Sequence, residues 1–267
     1  MDKLPEIARQ STNSLDDLYV QARDSNDEFV SNLSNVLNTL KEKDPKKFEE
    51  SYIKLGGIKH PQKARDNVSE KFSGDVSRSC DILRATYVGK AETFDEFFEA
   101  LDKSMKIVAM KDRIARPNEF GYRDRKVNAA LSSNGHICEI QGLVQEIEDV
   151  RNTTHPFRER ANKIEKKAIS ENRLMSAEEE DEYKFLRMFC LSKHNEAAIK
   201  AGLNAKLDPT LEAERLTELK TVNIPFIDFD SLPAFKDSFV KPQTENPSAE
   251  TKTSGTDIDN KTEKFDI

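Results

Sequence analysis

Apolar residues recur at mostly helical spacing between Ser14 and Leu40, which predicts amphipathic helix with a break near Ser25-Asn26. A second helix is predicted from Pro45 to Leu55, because the Gly56-Gly57 pair that follows favours helix termination. A third helix is predicted from Gln62 to Phe72. We expect these amino-terminal helices to pack on one face of a β-sheet.

Strand patterns begin at Ile82 and continue to the middle of the chain. Ile82 to Val88 and Lys106 to Met110 read as strands, and between them Thr93 is placed to cap a helix whose inward residues are Phe94, Phe97, Phe98 and Leu101. An Asn134-Gly135 turn joins Val127–Leu131 to His136–Gln141 and predicts a β-hairpin, because Asn-Gly accepts the positive φ angles of a tight turn.

Helical patterns return after the hairpin. Leu143 to Asn152 predicts a helix, Pro156 suits the first turn of a further helix reaching Ser170, and Ser176 with Glu179 forms a capping box for a helix through Ala198. Beyond that point the pattern predicts a helix at Leu207–Leu219, an extended segment at Ile224–Phe229 and, from Lys241, a polar tail that is too poor in apolar residues to order.

Composition restricts the class of protein. With 36% hydrophobic and 34% charged residues, the 267-residue chain reads as a surface-rich helical protein of one or two domains. No apolar run approaches the roughly 20 residues that span a bilayer, and the amino terminus lacks a secretory signal pattern, so we expect a cytoplasmic protein without a membrane partner. Export by a specialised secretion system stays open.

Cys80, Cys138 and Cys190 lie far apart in apolar surroundings and are predicted to be reduced core residues without disulfide partners.

Positive charge is concentrated in one stretch of an acidic chain. The net charge of −7 argues against a general nucleic-acid coat protein, which needs a broad positive surface. Between positions 106 and 126, however, three acids accompany seven cations, namely Lys106, Lys111, Arg113, Arg116, Arg123, Arg125 and Lys126. Such an island suits a compact polyanion such as a nucleotide phosphate, and the alternative is a solvated basic loop.

Two acidic residues stand out beside predicted strands. Alternation along the second hairpin strand places Glu139 and Gln141 on one face with Ile137, and Cys138 and Ile140 on the other. A mid-strand carboxylate between apolar neighbours is costly to bury without a cation, so Glu139 is expected to face a polar cleft or a metal, or else an exposed sheet face. Asp81 precedes the first strand, where it is either a turn residue or a partner for Glu139.

Several short motifs follow one another in a fixed order between Ile58 and Ala161. They are Lys63 and Lys71 around Asn67-Val68, Asp81-Ile82-Leu83-Arg84, Lys111-Asp112-Arg113 with Pro117, Gly121-Tyr122-Arg123-Asp124, Glu139-Ile140-Gln141, and His155 with Arg158 and Arg160. This series resembles the catalytic domain of the RelA/SpoT-like nucleotidyltransferases, which include alarmone synthetases.

The resemblance implies an organisation of the chain and a fold class. Residues 1–57 would form an amino-terminal helical region, 58–161 the nucleotidyltransferase core, 162–240 a carboxy-terminal helical region packed on the core, and 241–267 a disordered tail. The expected fold is α+β, with a mixed sheet of about four to five strands flanked by helices and with extra helices at both ends.

The resemblance also implies roles for individual residues. Asp81 and Glu139 would bind Mg²⁺ and, with Gln141, form the catalytic group. Lys63, Lys71 and Arg84 would bind the donor polyphosphate, and Tyr122 would stack on the acceptor base, although a core or rim aromatic is the alternative. Arg123 or Lys126 would face the acceptor, and the remaining implied substrate-binding residues are Lys111, Arg113 and His155. For His155, an orienting or packing role is the alternative.

The implied activity is Mg²⁺-dependent transfer of pyrophosphate from ATP to a hydroxyl of a nucleotide or of RNA, tRNA included, in an alarmone synthetase-like enzyme, toxin or effector. The chain departs from the family pattern after Asp81, where Arg84-Ala85-Thr86 replaces the usual Gly and later Arg, and at Asn67, where serine is frequent. A catalytically degenerate protein that binds a nucleotide or partner is therefore the alternative. Acceptor and oligomeric state stay open.

Overall fold

The computed structural model describes residues 4–203, which form six α-helices and a five-stranded mixed sheet. The helix predicted at Leu207–Leu219, the extended segment at Ile224–Phe229 and the tail from Lys241 lie outside the described residues. The α-helices are α1 (Leu15–Asp24), α2 (Asn26–Lys43), α3 (Pro61–Lys71), α4 (Phe94–Ser104), α5 (Gln145–Ser170) and α6 (Ala177–Lys200). The strands are β1 (Tyr52–Ile58), β2 (Leu83–Gly89), β3 (Lys106–Asp112), β4 (Arg125–Ala130) and β5 (Ile137–Val144).

The strands lie in the order β1-β2-β5-β4-β3. Only β2 and β5 pair in parallel, with Arg84 opposite Glu139 and Thr86 opposite Gln141. The other pairs are antiparallel. The predicted α+β class with a mixed sheet of four to five strands is confirmed.

One face of the sheet carries the main core. Tyr87 of β2 stacks on Phe97 of α4, with ring centroids 3.7 Å apart and planes 4° from parallel. Helix α4 can approach β5 this closely because position 142 is glycine: a Cβ there would lie 2.5 Å from Phe98 Cε2. Helices α1 and α2 contribute further buried apolar residues to the same core.

The predicted alternation along β5 is confirmed. Cys138 and Ile140 are fully buried in the main core, while Glu139 and Gln141 are half-buried on the opposite face. All three cysteines are buried, as predicted. The predicted break at Ser25 and the capping box of Ser176 and Glu179 are also present.

Two predicted elements are wrong. The segment predicted as a helix from Pro45 to Leu55 consists of turns followed by strand β1. This strand pairs with β2 on both sides of an irregularity at Gly56 and Gly57. Pro156 does not begin a new helix but lies inside the continuous helix α5, so His155 is not at a helix junction. Residues 4–203 contain no helix that is both long and apolar enough to span a membrane.

Candidate active site

The two predicted carboxylates lie together at the start of neighbouring strands. Asp81 lies two residues before β2, and Glu139 is the third residue of β5, directly beside Arg84 in the parallel ladder. Both line a pocket of about 130 Å³ that is also lined by Lys126 and Asn128 of β4. The fold therefore brings Asp81, Glu139 and Lys126 to one place, although they come from three separate stretches of the chain.

Each carboxylate is paired with a lysine. Lys59 Nζ lies 2.5 Å from Asp81 Oδ2, and Lys126 Nζ lies 3.1 Å from Glu139 Oε2. Lys59 is buried, and its backbone is fixed on both sides: Tyr19 Oη donates to its carbonyl at 2.7 Å, and its amide donates to the Ile82 carbonyl at 2.8 Å. Burial raises the pKa of Glu139; Lys126 offsets part of this effect, and repulsion from Asp81 adds to it. The two carboxylates thus share one electrostatic environment.

A larger cavity of about 460 Å³ opens on the other side of Glu139. Arg84, Gln141, Arg151 and His155 are among its lining residues. This volume lies within the range of about 300–1,000 Å³ that small-molecule sites occupy. Glu139 lines both cavities and is therefore the link between them.

Arg84 reaches this cavity across the backbone of β1. A Cβ on Gly56 would lie 2.7 Å from Arg84 Cγ, so the absence of a side chain at position 56 makes room for the arginine. Arg84 Nη1 donates to the Asp81 carbonyl at 3.4 Å. The arginine is therefore held beside the carboxylate pair.

An ionic cluster forms the far wall of the larger cavity. Glu148 of α5 is buried, and it accepts from Lys54 Nζ at 2.8 Å and from Arg151 Nη1 at 3.2 Å. Together with Arg84, these two cations give the cavity three positive side chains against the carboxylates of Glu139 and Glu148. The surroundings suit a polyanion.

Tyr122 lies in a tightly connected cluster rather than on an open surface. It is only 5% exposed, and the guanidinium groups of Arg113 and Arg158 lie 5.8 and 5.7 Å from its ring centroid. Burial raises the pKa of its hydroxyl, and the negative charge of Asp124 raises it further. An acceptor base could stack on this ring only if a guanidinium moved aside.

Asp124 is fully buried and organises this cluster. Arg113 binds it through two hydrogen bonds of 2.5 and 2.7 Å, and Gln141 Nε2 donates to it at 2.6 Å and to Tyr122 Oη at 3.1 Å. Both protons of the Gln141 amide are used in these bonds. Gln141 therefore ties the tyrosine to the sheet, and only its oxygen is left to act on a neighbour such as Glu139.

The loop that carries Tyr122 is fixed from helix α6. Asn118 Oδ1 accepts from the amides of Phe120 and Tyr122, and Gly121 adopts a φ of 76°. His194 bridges the loop to α5, because one ring nitrogen lies 2.8 Å from the Phe120 carbonyl and the other 3.1 Å from Thr154 Oγ1.

The other predicted cations are dispersed. Arg123 is fully buried and donates to the Ile114 carbonyl at 3.0 Å, and Lys111 pairs with Glu6 at 3.0 Å. Lys63 and Lys71 are exposed on α3. His155 is exposed at the rim of the larger cavity, 3.8 Å from Glu159.

The carboxylates of Asp81 and Glu139 are suitable ligands for Mg²⁺. Within residues 4–203 no group of three or more His, Cys, Asp or Glu side chains is arranged to hold a metal. Mg²⁺, however, commonly takes only one or two carboxylates and completes its shell with phosphate and water oxygens. Asp81 and Glu139 provide those two carboxylates, and a cation between them would relieve their repulsion.

No protein-family model and no curated protein sequence matches this chain. Several solved structures match it. One is small alarmone synthetase 1 from Bacillus subtilis bound to its product pppGpp, at 14% identity and a TM-score of 0.48, over 75% of this chain and 95% of that one.

Two further structures are similar in the same way. The Type VI effector Tas1, in complex with its immunity protein, is 15% identical with a TM-score of 0.48 over 72% of this chain and 99% of that one. A GTP pyrophosphokinase family protein from Streptococcus pneumoniae is 13% identical with a TM-score of 0.41 over 72% of this chain and 96% of that one.

Several site residues were not found from the sequence. Lys54 was missed because it lay in a segment predicted as a helix, and Lys59 because it stands between two predicted helices and belongs to none of the motifs. Glu148 and Arg151 carried a usable signal, since spacings of three and four residues place them on one helix face with the predicted His155. The structural role of Asp124 had no sequence signal beyond its place in the Gly-Tyr-Arg-Asp motif.

Proposed function

We propose that this protein catalyses Mg²⁺-dependent transfer of pyrophosphate from ATP to a hydroxyl of a nucleotide or of RNA. The observation that carries the proposal is the Asp81–Glu139 pair, which lies between a small polar pocket and a cavity lined by three cations. Phosphoryl-type transfer depends mainly on alignment and charge stabilisation, and this arrangement can supply both. The motif order described above supports the same activity.

Asp81 and Glu139 are the residues that would hold Mg²⁺. When bound, the ion would neutralise the charge that develops on the phosphate oxygens. Lys59 and Lys126 pair with these carboxylates, and with Mg²⁺ bound they would be available to phosphate oxygens instead. Arg84 and Arg151 would bind the polyphosphate from the larger cavity, and Lys63 and Lys71 would extend the positive surface along α3.

The transfer step forms one bond and breaks one. The acceptor hydroxyl oxygen attacks the β-phosphorus of ATP, the bond from that phosphorus to the oxygen shared with the α-phosphate breaks, and AMP leaves. Glu139 accepts the hydroxyl proton.

The acceptor would bind beside Tyr122. Its base would stack on the ring after the guanidinium of Arg158 has moved aside, and Lys126 would face its phosphates. An aromatic face contributes about 1–3 kcal/mol to such stacking. Since the reaction consumes ATP, the protein would act in a cytoplasm, either that of its own cell or that of a target cell reached by secretion.

A second candidate is favoured by the two lysine pairs. Lys59 and Lys126 already give Asp81 and Glu139 one cationic partner each. A protein of this kind would bind a nucleotide or a protein partner without turnover.

Formation of AMP from ATP separates the two candidates. Purified protein is incubated with ATP and an acceptor mixture of GDP, GTP, AMP, ADP and bulk tRNA, with and without Mg²⁺. Label in the adenine ring of ATP keeps AMP formed in the reaction distinct from AMP added as acceptor. AMP formation that requires Mg²⁺ and acceptor, and that is lost in Asp81→Asn and Glu139→Gln, supports transfer. ATP binding without AMP formation in any mixture would favour the second candidate.

A further inference from the structure

The segment from Leu4 to Gln10 precedes α1 without helix or strand structure, and most of its side chains are exposed. Gln10 is the exception among its polar residues, since it is only 6% exposed. Its backbone amide donates to the Ser77 carbonyl at 2.7 Å, which fixes the chain against the loop before β2. A buried glutamine requires partners for its amide, and those partners are backbone groups of the sheet.

The Gln10 amide joins the two chain segments that carry the carboxylates. Its Nε2 donates to the Ser79 carbonyl at 3.2 Å and to the Ile137 carbonyl at 2.8 Å, and its Oε1 accepts from the Ile137 amide at 3.0 Å. Ser79 lies two residues before Asp81, and Ile137 lies two residues before Glu139. One planar group therefore sets the separation of the two segments immediately before the site.

The sheet itself does not make this connection. The parallel ladder between β2 and β5 begins at Arg84 and Glu139, so Ile137 lies beyond its end. On its other side, Ile137 is opposite Ala130 of β4. The Gln10 amide occupies the edge of β5 that β2 leaves uncovered, and it satisfies both backbone groups of Ile137 there.

We infer that Gln10 is a positioning residue for the Asp81–Glu139 pair, and this inference rests on the proposed function. A metal held by only two carboxylates requires them at a fixed separation, and hydrogen-bonded neighbours of metal ligands provide such precision. Gln10 touches neither carboxylate. Its removal should therefore weaken metal binding and leave acceptor binding at Tyr122 unchanged.

The test compares Gln10→Met with Asn134→Ala in the full-length protein. Methionine preserves the length and burial of the side chain but cannot make the three hydrogen bonds. Asn134 is a matched control, because its amide also links the hairpin to a separate segment: its Nδ2 donates to the Gln21 carbonyl at 3.0 Å, and its Oδ1 accepts from the His136 amide at 3.0 Å. Asn134, however, lies at the turn, away from both carboxylates.

Mn²⁺ binding, measured by electron paramagnetic resonance, is the primary readout, and transfer kinetics are the second. We expect Gln10→Met to weaken Mn²⁺ binding by about 10-fold or more, with the acceptor KM changed by less than about 2-fold. Asn134→Ala should leave Mn²⁺ affinity unchanged. If the methionine variant does not fold, Gln10→Asn replaces it in the test. Its side chain keeps the amide but is one methylene too short to reach both segments, so it should also weaken Mn²⁺ binding.

Each result decides between named alternatives. Wild-type Mn²⁺ affinity in the Gln10 variants, in a protein that performs transfer, would overturn the positioning role and leave the proposed function intact. Equal losses of Mn²⁺ affinity in the Gln10 and Asn134 variants would assign the effect to general destabilisation and also overturn it. A wild-type protein that neither binds Mn²⁺ nor forms AMP would reject the proposed function, and the positioning role with it.

Discussion

Replacing Lys59 with methionine should make the stability of the protein depend on Mg²⁺. Lys59 is 6% exposed and its ammonium lies 2.5 Å from Asp81, whose side chain is 26% exposed. Breaking a fully buried ion pair costs about 3–5 kcal/mol and breaking an exposed one about 0–1 kcal/mol. Since this pair is partly buried, we expect Lys59→Met to lower the free energy of unfolding by about 2 kcal/mol without divalent cations.

Mg²⁺ should restore much of this loss, because it can replace the missing positive charge on Asp81. A ligand at about ten times its Kd stabilises the folded state by about 1.4 kcal/mol. The wild-type protein should gain less, because there the ion competes with Lys59 for the same carboxylate. The measurement is urea unfolding, followed by helical circular dichroism, of both proteins with and without Mg²⁺.

Lys54→Met is the matched control for this experiment. Lys54 also pairs with a buried carboxylate, but Glu148 keeps a second cationic partner in Arg151 and is not in the proposed metal site. Its loss should not create Mg²⁺ dependence. An equal Mg²⁺ effect in the wild type and Lys59→Met, or none in the variant, would refute the view that a metal and Lys59 compete for Asp81.

Three further substitutions test the scaffold around the site. Gly142→Ala should cost about 1–3 kcal/mol and lower the melting temperature, because the new Cβ would lie 2.5 Å from the Phe98 ring. Burial lowers the pKa of His136 to about 4, so the unfolded chain binds a proton between pH 6.5 and 4 while the folded protein does not. Wild-type stability should therefore fall by up to about 3 kcal/mol across that window, and urea unfolding of His136→Leu should lack this part of the slope. Burial would raise the pKa of Glu28, but hydrogen bonds from Ser132 and its neighbour outweigh this effect and lower it to about 2. Glu28 thus contributes stability above pH 4.5 that is lost as the pH falls toward 2. In Glu28→Gln the free energy of unfolding, measured by urea unfolding, should depend less on pH in that range.

Contrary results are equally specific for these three variants. An unchanged melting temperature in Gly142→Ala would mean that α4 is not pressed against β5. A slope between pH 6.5 and 4 that persists in His136→Leu would assign the acid sensitivity to another group. Glu28→Gln with wild-type acid sensitivity below pH 4.5 would remove the hairpin contact as a source of stability.

Local patterns predicted much of the fold because most helices and strands are specified by residues within the element itself. The hairpin was predicted from Asn134-Gly135 and from alternation along β5, and α4 from its four inward apolar residues. Strand β1 was not predicted, since Gly56 and Gly57 indicated the end of a helix. In the structure, Gly56 instead makes room for Arg84, a contact that depends on a residue far along the chain. Pro156 was misinterpreted because a proline inside a long helix and a proline at its first turn look alike in sequence.

The site likewise contains residues that the sequence predicted and residues that it did not. Asp81 and Glu139 were predicted to meet, and the structure places them in one pocket. Lys59 and Gln10 could not be foreseen, because they reach the site from segments that are separated from it in sequence and carry no local signal. Burial of Tyr122 beneath two guanidinium groups likewise arises from α5 and the basic loop packing together, which no pattern within the Gly-Tyr-Arg-Asp motif encodes.

Transfer of label from γ-labelled ATP tests the central claim most directly. The protein is incubated with Mg²⁺ and separately with GDP, GTP, AMP, ADP and bulk tRNA, and Glu139→Gln serves as the control. The account predicts label on one class of acceptor with the wild type and none with the variant. ATP binding without label on any acceptor, or label transfer that is unchanged in Glu139→Gln, would contradict it.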